Sequence, residues 1–149
     1  MQKCTLALGC FWKPEENFKN KSGIINTEVG YAGGEKSEVT YEEVCTGHTG
    51  HAEVVRLTYD EKIISFKKIL DLFFKMHDPT QKDMQYPDVG TQYRSEIFYE
   101  TDEQKKEAEA VIIERNPTFD NKIQTNISKI KNYCKAEDYH QRYIEKKSI

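Results

Sequence analysis

The chain has 149 residues, 32% of them charged and 37% hydrophobic, with a formal net charge of −3 at pH 7. That length supports a single domain spanning 1–149 with a core of its own. The slightly acidic balance offers nothing to a nucleic-acid backbone or an anionic membrane, and no apolar run approaches the ~20 residues of a membrane span.

The first apolar run, residues 3–9, reads as a short buried strand. It ends at Ala7-Leu8-Gly9-Cys10, too short and too poor in basic residues to be an export signal. A cytoplasmic location is therefore expected, with Cys4, Cys10, Cys45 and Cys134 as reduced thiols. Pro14 suits the first turn of a helix reaching about Lys21. Residues 24–31 are β-rich and stop at Gly33-Gly34; residues 51–59 alternate, with Val55, Leu57 and Tyr59 on one face.

Ser65 caps the clearest helix, in which Phe66, Ile69, Leu70 and Phe73 follow the 3.6-residue period. Residues 77–93 lack a period and contain Pro79, Pro87 and Gly90, a long loop of the kind that commonly carries function. A strand follows at 95–99, then a helix opened by a Thr101/Gln104 capping box and closed at Asn116-Pro117. A last strand at 123–130 and a polar helix around 139–146 complete the chain. Strands and helices joined by long loops point to an α+β fold, a mixed sheet with helices packed on it.

Cys10 falls at a strand-to-helix junction, where unpaired N–H groups and the positive end of the helix dipole favour a thiolate. Lys13 adds a cation; Glu15 and Glu16 oppose the thiolate. Phe11 and Trp12 could wall an apolar slot beside the sulfur, yet all three residues also fit as plain core filling. Local chemistry leaves that choice open.

Further stretches narrow it. Gly9-Cys-Phe-Trp12, Gly30-Tyr-Ala-Gly-Gly34, Gly47-His-Thr-Gly-His-Ala-Glu-Val-Val55, His77-Asp-Pro-Thr80, Asp88-Val-Gly-Thr-Gln-Tyr-Arg-Ser95 and Ala136-Glu-Asp-Tyr-His-Gln141 occur in this order. Together they resemble the signature set of the A-type peptide methionine sulfoxide reductases, over nearly the whole chain.

The resemblance implies a two-layer, ferredoxin-like α/β plait and reduction of the S-epimer of methionine sulfoxide, free or in proteins. It makes Cys10 the nucleophile, left as a sulfenic acid, and Glu53 the acid that protonates the departing oxygen. A glutamate can serve near neutral pH only if an apolar setting raises its pKa. Tyr41 and Tyr93 are the implied hydrogen-bond donors to the sulfoxide oxygen, Asp88 orients the site, and Phe11 and Trp12 hold the substrate methyl. No cofactor is implied. Cys45-x2-His48-x2-His51 lacks a fourth ligand nearby, so no metal is expected. His51 and His140 read as structural or packing residues, and Cys4 and Cys45 as structural.

The chain departs from many relatives in reading Lys13-Pro14 for Gly-Val and Tyr86-Pro87 for Gly-Asn, and in lacking a glycine-rich C-terminal tail with resolving cysteines. Lys13 is expected to assist thiolate formation. Cys134 is the candidate resolving thiol; otherwise thioredoxin, glutaredoxin or another thiol reduces the sulfenic acid directly. A monomer is expected. Two other readings are a peroxidase-like thiol enzyme and a non-catalytic module that binds oxidised methionine.

Overall fold

The computed structural model describes residues 1–147. In chain order its elements are β1 (Gln2–Leu8), α1 (Trp12–Lys19), β2 (Ile24–Ala32), α2 (Tyr41–Cys45), β3 (Ala52–Tyr59), α3 (Phe66–Met76), β4 (Met84–Gln85), β5 (Asp88–Val89), β6 (Ser95–Tyr99), α4 (Asp102–Arg115), β7 (Asn126–Lys129), β8 (Cys134–Lys135) and α5 (Tyr143–Lys147). Six strands form one sheet in the order β7-β6-β1-β3-β2-β8. All neighbours are antiparallel except β6 and β7, so the sheet is mixed.

Side chains alternate across a strand, and here each face has a different partner. Cys4, Leu6 and Leu8 of β1 and Val55, Leu57 and Tyr59 of β3 join Phe18 of α1, Ile69, Leu70 and Phe73 of α3, and Ala108 and Val111 of α4 in the main core. The helices thus share one face of the sheet. On the other face Ala7, Ala32, Ala52, Val54 and Phe98 form a thinner cluster covered by Ile130 and Tyr133. No helix among the described residues is long and apolar enough to cross a membrane.

Most expected elements are present with shifted ends. Ser65 caps α3 through the Lys68 N–H. Thr101 accepts from the Gln104 N–H, but the Gln104 amide does not complete a capping box. It accepts from the Glu100 N–H instead and donates to the Lys3 carbonyl, tying α4 to β1. A full capping box lies at Thr40 and Glu43, opening α2, an element the sequence reading passed over. The expected strand at 123–130 contracts to β7, and the polar segment at 139–146 divides into a 3-10 turn (Asp138–His140) and α5. The loop at 77–93 holds a small hairpin, β4 with β5, and a 3-10 turn at Thr91–Tyr93.

Candidate active site

Gly9 ends β1 with φ +97°, a backbone conformation that side chains rarely adopt, and a Cβ there would meet Gln85 at 2.9–3.0 Å. The resulting bend delivers Cys10, half-buried, to the mouth of α1. The next residue reaches across the sheet: the Phe11 N–H donates to Oε1 of Glu53 at 3.3 Å. Glu53 stands on β3, only 1% exposed, between Ala52 and Val54, which are fully buried.

Burial sets the protonation of this pair. It pushes the Glu53 carboxyl up to about 8, against the Phe11 N–H and with help from the Asp88 charge. It likewise raises the Cys10 thiol to about 11; the Trp12 N–H works the other way, and the charges of Glu53 and Asp88 add to the rise. The balance the sequence leaves open falls on the side of a thiol: loss of water around the sulfur outweighs the helix mouth. Lys13 is exposed, and the side-chain charges that act on the sulfur are the two carboxylates.

Two phenols complete the cluster. Tyr41 opens α2, where its N–H is held by Oε2 of Glu137 at 3.0 Å. Tyr93 ends the Thr91–Tyr93 turn. Burial raises both hydroxyls, Tyr93 to about 12, and the Glu53 charge acts on each, so both remain neutral donors near pH 7. Asp88, in β5, acts on Cys10, Glu53 and Tyr93 alike.

The aromatic wall is braced from the C-terminal segment. Trp12 donates its indole N–H to Nδ1 of His140 at 3.0 Å and stacks on Tyr143 with ring centres 3.7 Å apart and planes 9° from parallel. The buried His140 ring also packs on Phe11 at 5.1 Å and on Tyr41 at 4.7 Å. Burial lowers the His140 pKa, keeping the ring neutral and its Nδ1 free to accept.

Three further groups hold this frame. Glu15 is not a solvated acid of the first helical turn but a buried clasp, accepting from the Thr27 hydroxyl at 2.8 Å and the Arg142 N–H at 2.6 Å. Glu137 accepts from the Tyr31 hydroxyl as well as from Tyr41. Arg94 grips the Thr91 and Gly50 carbonyls, each at 3.0 Å, and the Glu96 carboxylate at 2.6 Å. It thereby links the turn of Tyr93 to the approach of Glu53. Sequence reasoning missed Tyr143, Glu15, Glu137 and Arg94 as site-builders. For Tyr143 a signal existed, since Tyr139, His140 and Tyr143 recur at helical spacing.

Cys10, Phe11, Trp12, Tyr41, Glu53, Asp88 and Tyr93 thus meet in one place. Cys134 does not join them: it pairs with Tyr31 on β2, and Tyr31 in turn pairs with Glu53. Its thiol donates to the Val39 carbonyl at 3.6 Å. Cys4 is buried, whereas Cys45, expected to be structural, is exposed, its thiol beside the Tyr41 hydroxyl. His51 is buried among Gly34 and Thr49. Among the described residues no group of three or more His, Cys, Asp or Glu is placed to hold a metal ion.

An acid that keeps its proton at neutral pH, set beside a thiol and two neutral donors, suits a thiol-dependent reductase whose substrate oxygen must be protonated as it leaves. Comparison with known proteins specifies the kind. A family profile for peptide methionine sulfoxide reductase matches residues 2–149, and the chain belongs to that family. It is 56% identical to the peptide methionine sulfoxide reductase MsrA of Pelagibacter ubique, over 99% of this chain and 100% of the relative. Among solved structures, reduced Mxr1 from Saccharomyces cerevisiae superposes with a TM-score of 0.94 at 42% identity, covering 99% of this chain and 86% of that one. Mxr1 in complex with Trx2 matches with a TM-score of 0.68 at 32% identity, covering 95% and 84%.

Proposed function

We propose that this chain reduces the S-epimer of methionine sulfoxide through Cys10, with Glu53 supplying the proton. The observation that carries the reading is the buried Glu53 carboxyl, raised to about 8 and joined through the Phe11 N–H to the residue after the thiol. Tyr41 and Tyr93 donate to the sulfoxide oxygen, and Phe11 with the braced Trp12 receives the methyl. An apolar slot for a methyl opposite donors for an oxygen distinguishes the two epimers at sulfur. Asp88, through its charge, helps to keep protons on Glu53 and Cys10 before substrate arrives.

In the reaction Glu53 gives its proton to the sulfoxide oxygen and becomes a carboxylate. That carboxylate can take the proton of the Cys10 thiol, whose sulfur attacks the substrate sulfur. The sulfur–sulfur bond so formed and the substrate S–O bond then break as the protonated oxygen passes to Cys10, giving a sulfenic acid and methionine: the substrate sulfur is reduced by two electrons and the cysteine oxidised by two. Cys134 is the proposed resolving thiol. It pairs with Tyr31, and Tyr31 with Glu53, which sets it two strands from the proposed acid. Thioredoxin is the proposed final reductant, a reading supported by the Trx2 complex of the yeast relative.

The strand order β6-β1-β3-β2, with α1 and α3 as crossovers, supports the ferredoxin-like plait within one catalytic domain. A cytoplasmic monomer remains the proposed form. Turnover of separated sulfoxide epimers with dithiothreitol tests the function. Reduction of the S-epimer alone, lost in Cys10→Ser, is the expected result. Reduction of both epimers, or of peroxide in preference to either, removes it.

A further inference from the structure

The hairpin of β4 and β5 borders the thiol. Gln85 lies against Gly9, immediately before Cys10, and Asp88, its partner in the hairpin, acts on the Cys10 sulfur. The turn between them is Tyr86-Pro87, and Tyr86 is 77% exposed although its backbone is firmly held. Its N–H donates to the Gln81 side chain at 2.7 Å, the Gln85 amide bonds the Asp78 carbonyl and N–H, and the Gly90 N–H closes on the Asp83 carbonyl at 3.0 Å. A second exposed tyrosine, Tyr139 at 56%, comes from the C-terminal segment. Its ring packs on His140, which in turn touches Phe11.

An aromatic side chain left in water on a braced frame gains free energy when an apolar group covers it, with little ordering cost of its own. The two elements that border the reacting thiol each present one. Free methionine sulfoxide has no atoms beyond its own backbone to cover such rings, whereas a peptide chain carries further side chains on both sides of the sulfoxide. We propose that Tyr86 and Tyr139 form a binding rim for polypeptide substrates that carry apolar residues next to the oxidised methionine. This selects exposed, unfolded or core-derived segments over the free amino acid. The inference rests on the sulfoxide reductase reading of the same site and names its preferred substrate class.

The test compares N-acetylmethionine S-sulfoxide with two pentapeptides centred on the same sulfoxide, one flanked by glycine and one by leucine. Wild type should favour the leucine peptide over the glycine peptide by about tenfold in kcat/KM, mainly through KM. Tyr86→Ser should remove most of that preference, and Tyr139→Ser part of it. Tyr86→Phe should keep it, because the ring rather than the hydroxyl makes the contact. Turnover of N-acetylmethionine sulfoxide should be unchanged in Tyr86→Ser, which also shows that the variant is folded. Equal use of the two peptides by wild type, a preference that survives in Tyr86→Ser, or an equal fall for all three substrates would overturn the rim. Failure of wild type on all three would instead remove the reductase reading, and the rim with it.

Discussion

The Phe11 N–H and the Glu53 carboxyl are hydrogen-bonded at 3.3 Å, so the backbone beside the thiol is anchored to an acid that burial keeps protonated near pH 7. A single strand position is therefore placed to hold the backbone beside the proposed nucleophile and to carry the proposed proton.

Glu53→Gln should keep the hydrogen bond to Phe11 and lose the proton. We expect kcat to fall about a hundred- to ten-thousand-fold. Wild-type rate should decline as pH rises through about 8, where Glu53 ionises, and the residual rate of the variant should lack that limb. Stability falls over the same range. The folded carboxyl binds its proton more tightly than the ordinary value of 4.5, so its contribution is full below that value and is lost as pH rises through about 8. Thermal melts at pH 9 should accordingly show Glu53→Gln more stable than wild type.

Tyr143→Ala removes the stack beneath Trp12. Loss of one such ring pair should raise KM about three- to tenfold while kcat changes less. Trp12 is the only tryptophan in the chain, so its fluorescence reports the same event: the emission of Tyr143→Ala should differ from wild type without substrate.

Arg94→Lys keeps the charge but cannot reach the Thr91 carbonyl, the Gly50 carbonyl and the Glu96 carboxylate together. Tyr93 and Glu53 should both loosen. The expected outcome is about a tenfold lower kcat and an alkaline limb displaced to lower pH, because water admitted to Glu53 returns it toward its ordinary value. A pH–rate profile that keeps its shape would show that Arg94 acts on stability alone.

The fate of the oxidised thiol is read by mass spectrometry after one turnover without reductant. A Cys10–Cys134 disulfide is the expected product. A sulfenic acid that persists on Cys10, or a disulfide to the exposed Cys45, would remove Cys134 from the resolving role.

β1, β2, β3, β6 and α3 were legible in the sequence from apolar period, with local capping agreeing at Ser65 and along Phe66, Ile69, Leu70 and Phe73. The set Cys10, Glu53, Tyr41 and Tyr93 was legible through motif resemblance, since no local pattern announces that residues so far apart will meet. Protonation was not legible. The helix-mouth argument for Cys10 counts nearby dipoles, whereas the deciding quantity is the water removed from the sulfur on burial, which depends on the assembled fold. Glu15 shows the same limit. At the start of a helix it reads as a solvated acid, and only the return of the chain at Arg142 makes it a buried clasp.

The high affinity of Cys10 for its proton bears on survival under the conditions that create the substrate. Raised to about 11, the Cys10 sulfur rests as its thiol at pH 7. Oxidants and alkylating agents react chiefly with the anion, so burial of the sulfur works against their reaction with the idle protein. In the proposed mechanism, reactivity is withheld until a sulfoxide, by drawing the proton from Glu53, creates the base that releases it.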